Sequence, residues 1–350
     1  MALRSYRETI LEPGLPIIDP HHHLWDRRAI IAASTEPPKH AFAKILQKVP
    51  LYLADELALD LTSGHNVLTT VYMECGSMYR TDGPEALKPV GETESVAAVA
   101  AKSVAAPGGR ARACAGIVSH ANLMLGDAAA EVLDAHLAAG DGRFRGIRHS
   151  AAYDVDPNVL GLLVRNGGGV YLDETFRKGF AKLAPLNLSF DAWMLEPQLA
   201  DLIDLARAFP DTTIVLDHVG TPLGIGAYAG RRDERFGAWR DHIRALAALP
   251  CVHVKLGGLA MPFAGFPSFF SDPPATSIQL AAEWKPYIET CIDAFGPTRC
   301  MFESNFPVDI GSCDYDVLWN VFKVLAAGYS ADEKTALFND TARRVYRLDA

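Results

Sequence analysis

The residues Ile17-Ile18-Asp19-Pro20-His21-His22-His23 end an apolar run in a cluster of metal-binding side chains. Side chains of an extended chain alternate between faces. Asp19, His21 and His23 are therefore expected on one face, with His22 packing on the other. Two imidazoles spaced this way at a strand end can hold one divalent ion, and imidazole with carboxylate donors suits zinc. Other apolar runs also stop at polar groups. Glu74 ends one, as a ligand, a substrate-binding carboxylate or an arginine's partner. Arg148 and His149 end another on opposite faces, and Arg148 could clamp a carboxylate or lactone oxygen or serve as a salt-bridge partner. His218 offers a third imidazole, while Asp217, on the other face, could orient a neighbour. His253 and Lys255 share a face, and Lys255 could polarise a substrate carbonyl or form a buried ion pair. Glu303 and Asn305 share a face on the last run.

Eight short β-branched runs carry these groups, near residues 15–20, 67–75, 112–118, 144–149, 186–190, 212–217, 251–257 and 299–304. Alanine- and leucine-rich stretches with helical spacing separate most of them, among them Glu94 to Ala106, Ala128 to Ala139 and Gln279 to Ala294. The alternation predicts an α/β chain folded as a (β/α)8 TIM barrel, one domain over 1–350. A doubly wound sheet would place a glycine-rich loop after its first strand, where this chain has histidines. The connection over 24–66 is long for a βα unit and is expected to cover the site. The stretch 259–275, rich in Phe and Pro, either walls the same mouth or makes a subunit contact.

With 350 residues, 49% of them hydrophobic, the chain can bury a large core. A net charge of -9 argues against a nucleic acid or an anionic membrane as partner. The first twelve residues mix charges without an apolar centre, so no secretory leader is expected. Six cysteines without a C-x-x-C pair read as reduced thiols of a cytoplasmic protein. A nucleophile elbow, a phosphate loop and an H-E-x-x-H helix are all absent from the sequence. The expected partner is a small-molecule substrate, with homo-oligomerisation open.

Ile18-Asp19-Pro20-His21-His22-His23-Leu24-Trp25-Asp26, Gly146-Ile147-Arg148-His149, Leu216-Asp217-His218-Val219-Gly220, Val254-Lys255-Leu256-Gly257-Gly258-Leu259 and Met301-Phe302-Glu303-Ser304-Asn305-Phe306-Pro307 together resemble the amidohydrolase-2 (amidohydrolase-related) family. The lactonase-like branch, with sugar-lactone and 2-pyrone-4,6-dicarboxylate lactonases, is the nearest in pattern. Leu337 to Tyr346 resembles the family's final helix. The resemblance implies a metal-dependent-hydrolase barrel that opens lactones, with relatives that decarboxylate aromatic or muconate acids. It assigns His21, His23 and His218 to the metal site, although some lactonases of the branch work without a metal. It also exposes a departure. The family pattern in the last strand is Gly-Ser-Asp, where this chain has Glu303-Ser304-Asn305, and an amide cannot accept a proton at neutral pH.

These observations predict a hydrolase, a lactonase opening a small carboxylated or sugar-type lactone with activated water. Glu303 is expected to take over the missing carboxylate's role from about 6–7 Å deeper along the strand, with His218 as the other candidate base and Asn305 at the aspartate's place. Arg148, Lys255, Glu74, His149 and Trp25 form the expected substrate-binding set. The alternatives are a decarboxylase on the same scaffold and a non-catalytic homologue that has lost its base.

Overall fold

The computed structural model describes residues 8–34, 40–104 and 111–349. Eight parallel strands follow one another round a single sheet: β1 (Pro16–His22), β2 (Asn66–Met73), β3 (Arg112–Ser119), β4 (Phe144–Arg148), β5 (Ser189–Ala192), β6 (Ile214–Leu216), β7 (Val252–Leu256) and β8 (Cys300–Phe302). The ring closes where the last strand returns to the first. Asn305 N donates to His21 O at 2.8 Å, and His23 N donates to Phe306 O at 2.7 Å. The predicted TIM barrel is therefore present; the expected strands are found within a residue or two of their bounds, except the fifth, expected at 186–190 and found at Ser189–Ala192. Expected helix 94–106 corresponds to Val90–Val104, and its last two residues lie outside the described ones.

Alternation along each strand sorts side chains into two cores. Ile18, Val71, Met73, Val118, Val215 and Met301 fill the barrel interior, and Val345, Tyr346 and Leu348 close its floor from the C-terminal segment. The intervening residues, such as Ile17, Tyr72, Phe190, Leu216 and Phe302, pack outward against the helices. Above the interior layer the strands end in polar residues, where a barrel builds its site.

The 24–66 stretch holds a two-stranded ribbon (Trp25–Asp26 with Leu51–Tyr52) and helices at Arg28–Ala33, Ala41–Lys48 and Ala54–Leu61. Ile30, Phe42 and Leu46 from it line the cleft above the strand ends. Of the two roles open to the 259–275 stretch, walling the mouth is little used. Among its described residues only Met261 lines that cleft. Its aromatics are engaged elsewhere, Phe266 against Tyr287 and Phe269 against Phe270.

Candidate active site

The three predicted imidazoles meet in one cup. His21 Nε2 lies 3.3 Å from His23 Nε2, and the His21 and His218 rings are 4.7 Å apart. Strict alternation does not produce this. In β1 the pairing register slips between Asp19 and His22. The irregularity turns His21 inward while Asp19 faces out, so the expectation that the two share a face is corrected. Asp19 accepts from Ser304 N at 3.0 Å and from Tyr315 OH at 3.1 Å, stitching the first and last strands together behind the cup. His22 packs outward as expected, on Thr70 Oγ1 at 2.8 Å.

In β6 the alternation that puts Val215 inside also sends Asp217 inside. His218 would then face out, but it has φ 55° and ψ 42°, and this left-handed turn swings its ring into the cup as well. Such a conformation costs a non-glycine residue of order 1–3 kcal/mol and clusters at functional sites. The neighbouring Gly258 makes room for it, because a Cβ there would stand 2.5 Å from the His218 ring. Asp217 thus enters the site, against the sequence expectation that it lies on the other face.

Each imidazole has its Nδ1 tied to an acceptor. His23 Nδ1 donates to Met73 O at 2.9 Å. His218 Nδ1 donates to Glu303 Oε1 at 2.7 Å, and His218 N donates to the same oxygen at 3.1 Å. His21 Nδ1 lies 2.7 Å from Glu303 Oε2, and the Arg148 guanidinium, a donor only, stands 3.4 Å from His21 Nε2, which makes that nitrogen the acceptor. All three lone pairs are therefore on Nε2. Burial, then the neighbouring His21 and Arg148, hold His23 well below the usual imidazole range. Burial lowers His218 also, although Glu303 pulls it back. Burial works against the Glu303 carboxylate, but His218 and His21 outweigh it and hold it down at about 2.

Two facing Nε2 lone pairs form a candidate cation site, with Arg148 Nη1 also 3.4 Å from His21 Nε2. Donors on tetrahedral zinc at 2.0–2.1 Å stand about 3.3–3.4 Å apart. His21 Nε2 and His23 Nε2 meet that spacing, as do His23 Nε2 and Asn305 Oδ1, also at 3.3 Å. Asn305 Nδ2 donates to Asp309 Oδ1 at 2.7 Å, which aims the amide oxygen at His23. The charges agree: Glu74, Asp191, Asp217 and Glu303 are buried here against Arg148 and Lys255. His21, Asp217 and His218 also bring donor atoms within 4.8 Å of one another. Lys255 already serves that side, 3.1 Å from Asp217 Oδ1 and 3.3 Å from His21 Nδ1.

The geometry also places the other expected site residues. Lys255 is fully buried beneath the cup and paired with Asp191 at 2.7 Å, so it meets the histidines rather than a substrate. Glu303 is likewise buried, both oxygens engaged by imidazoles, and does not line the cleft. His149 points behind the wall, where its Nδ1 accepts from Leu123 N at 3.2 Å and its ring packs on Phe176. Glu74 and Arg148 do line the cleft, yet they are also partners of each other at 2.8 Å. Trp25 lines it too, stacked on His23 with its Nε1 donating to Val49 O at 2.9 Å. Asp191, Arg27, Arg165 and Trp193 are site residues that the sequence alone did not single out. For Asp191 the signal was a carboxylate inside the apolar run Leu188 to Ala192.

A closed parallel barrel with paired histidines at its open rim defines the amidohydrolase class. The chain belongs to the amidohydrolase family, whose model matches residues 18–348, and it is an enzyme of the hydrolase kind. It is 32% identical over 345 residues to the uncharacterized protein y4mH of Sinorhizobium fredii, covering 95% of this chain and 99% of that one. It is 30% identical over 219 residues to an L-fucono-1,5-lactonase of Burkholderia multivorans, covering 59% of this chain and 64% of that one. Among solved structures, an amidohydrolase from Burkholderia multivorans with bound HEPES superposes with a TM-score of 0.70 at 25% identity, over 95% of this chain and 99% of that one. Another crystal form of that protein, at 24% identity, contains zinc.

Proposed function

We propose that the protein opens a lactone ring by general-base-assisted attack of water, at a cup that holds one divalent metal, zinc by its donor set. His21, His23 and the Asn305 amide oxygen would hold the ion. When bound, such an ion polarises a carbonyl oxygen and makes water acidic at neutral pH. The observation that carries the proposal is the convergence of Nε2 lone pairs at the base of a cleft also lined by Arg148.

His218 lines the cleft and is the base. Its Nδ1–H is fixed on Glu303, so its Nε2 takes a proton from water as the water oxygen bonds to the lactone carbonyl carbon. Arg148 faces the oxyanion that develops on the carbonyl oxygen. The ring C–O bond then breaks, and the leaving alkoxide takes the proton back from His218. Glu303 acts through the two imidazoles it orients, in place of a base in direct contact with water. Asn305 supplies a neutral oxygen donor where the family pattern has an aspartate. The lactonase relatives support the reaction class.

The test is a panel of lactones and aromatic acids with metal-loaded enzyme. Acid release on ring opening, abolished in His218→Asn, is expected. Release of carbon dioxide from an aromatic acid with no lactone opened would instead assign the cup to decarboxylation.

A further inference from the structure

Arg27, Arg165 and Trp193 have no part in the chemistry above, yet they line the same cleft. The Arg27 guanidinium donates to Cys75 O at 2.7 Å and to Gly76 O at 3.4 Å. Arg165, arriving from the loop after β4, lies on the same turn. Gly76 has φ +67°, and a Cβ there would stand 3.2 Å from Arg165 Nη2. A glycine at this turn thus lets two guanidiniums gather over one stretch of backbone. Glu74 is the carboxylate that lines the cleft beside them, and Glu92 holds the turn from behind through Cys75 N and Ser77 N. Glu74 Oε2 is 3.5 Å from Arg165, and the other Glu74 oxygen is committed to Arg148 at 2.8 Å. The cleft wall therefore carries three arginines and one carboxylate, in a chain of net charge -9. The Arg165 side chain is 44% exposed and within reach of a ligand.

Much of the remaining lining is apolar, including Phe42, Leu46, Leu163 and Trp193. The Trp193 Nε1 is buried without a partner among the described residues. A ring hydroxyl set against those apolar side chains would lose water without a hydrogen-bond partner in return.

We propose that Arg27 and Arg165 form an anion clamp that selects lactones bearing a carboxylate and an apolar substituent over neutral sugar lactones. The choice of lactones rests on the function proposed above; the clamp itself does not. A planar guanidinium pairs with a carboxylate through two parallel hydrogen bonds, which gives the clamp its geometry. An apolar pocket rejects an added hydroxyl by about 10²-fold.

The experiment uses metal-loaded enzyme and two arms. Calorimetric titration compares benzoate with benzamide. Benzoate is expected to bind about tenfold or more tighter, and Arg165→Gln and Arg27→Gln are each expected to reduce benzoate affinity about tenfold more than benzamide affinity. Melting curves check that both variants fold, and the exposed Arg165 gives the variant with the least structural risk. Equal affinity for the two ligands, or equal losses in Arg165→Gln, overturns the clamp. In the second arm, kcat/KM is measured for an aryl-substituted lactone carboxylate, its methyl ester and an aldono-1,5-lactone. The carboxylate is expected to exceed the aldonolactone about 10²-fold, and an aldonolactone that matches it overturns the selection. If the benzoate preference holds and depends on Arg165 while no lactone opens, the clamp stands and the lactonase proposal fails.

Discussion

Replacing Glu303 by glutamine preserves shape but forces a choice of tautomer. The carboxylate accepts from His218 N and His218 Nδ1 on one oxygen and faces His21 Nδ1 with the other. A glutamine must keep its carbonyl oxygen on the His218 side, because the buried backbone N–H has no other acceptor there. Its NH2 then points at His21 Nδ1, which can accept only if the His21 proton moves to Nε2. His21 Nε2–H would face His23 Nε2 at 3.3 Å, and the cation site would lose a donor. Outer partners of metal-binding histidines are worth about 10–100-fold in metal affinity. Disturbing a positioned general base costs about 10²–10⁴-fold in rate, or ~3–5 kcal/mol of barrier. Glu303→Gln is thus expected to bind zinc about 10–100-fold more weakly by competition with a chelator. With metal saturating, its kcat is expected to fall at least about 10²-fold. A variant with unaltered metal affinity and unaltered kcat would refute the tautomer reasoning.

Other perturbations test separate parts of the structure. Gly258→Ala, whose Cβ would press on the His218 ring at a position with φ +68°, is expected to lower kcat about 10²-fold, because small displacements of a positioned group cost that much. Its circular dichroism should stay native, and unchanged steady-state kinetics would contradict the role given to His218. Tyr346→Phe removes the 2.5 Å bond to Asp191 at the barrel floor, and urea denaturation should show a loss of ~1.5–3 kcal/mol. His136 is buried between Thr93 Oγ1 and His120 O, and burial, partly offset by that carbonyl, pushes its pKa down to about 4. The unfolded chain takes up this proton near 6.5, so between pH 6.5 and 4 it binds more protons than the folded one. The stability present above pH 6.5 is lost as pH falls to about 4, by ~3 kcal/mol at ~1.4 kcal/mol per pH unit. His136→Gln should flatten urea-derived stability over that window, and an unchanged slope would show that His136 titrates normally.

The barrel was legible because its strands are short β-branched runs separated by helical spacing, and each of the eight runs became a strand. His21, His23 and His218 were legible as chemistry-bearing types at strand ends. Their directions were not. Period-two alternation fails at the register slip in β1 and at the left-handed His218, and both irregularities lie at the site. Asn305, with φ 52°, is a third such position. Lys255 was read with two roles open, and the one observed depends on Asp191, which comes from a strand 64 residues away. Spacing within one segment carries no information about such a partner. The same holds for Arg27 and Arg165, which meet only because separate loops close over Gly76.

Anomalous diffraction from crystals of the zinc-loaded enzyme, collected at the metal's absorption edge, would locate the ion among the histidines. One peak per chain bonded to His21 Nε2 and His23 Nε2, lost in His21→Ala/His23→Ala together with lactone opening, is the expected result. A peak on the Lys255 side of His21, or full activity in the double variant, would contradict it.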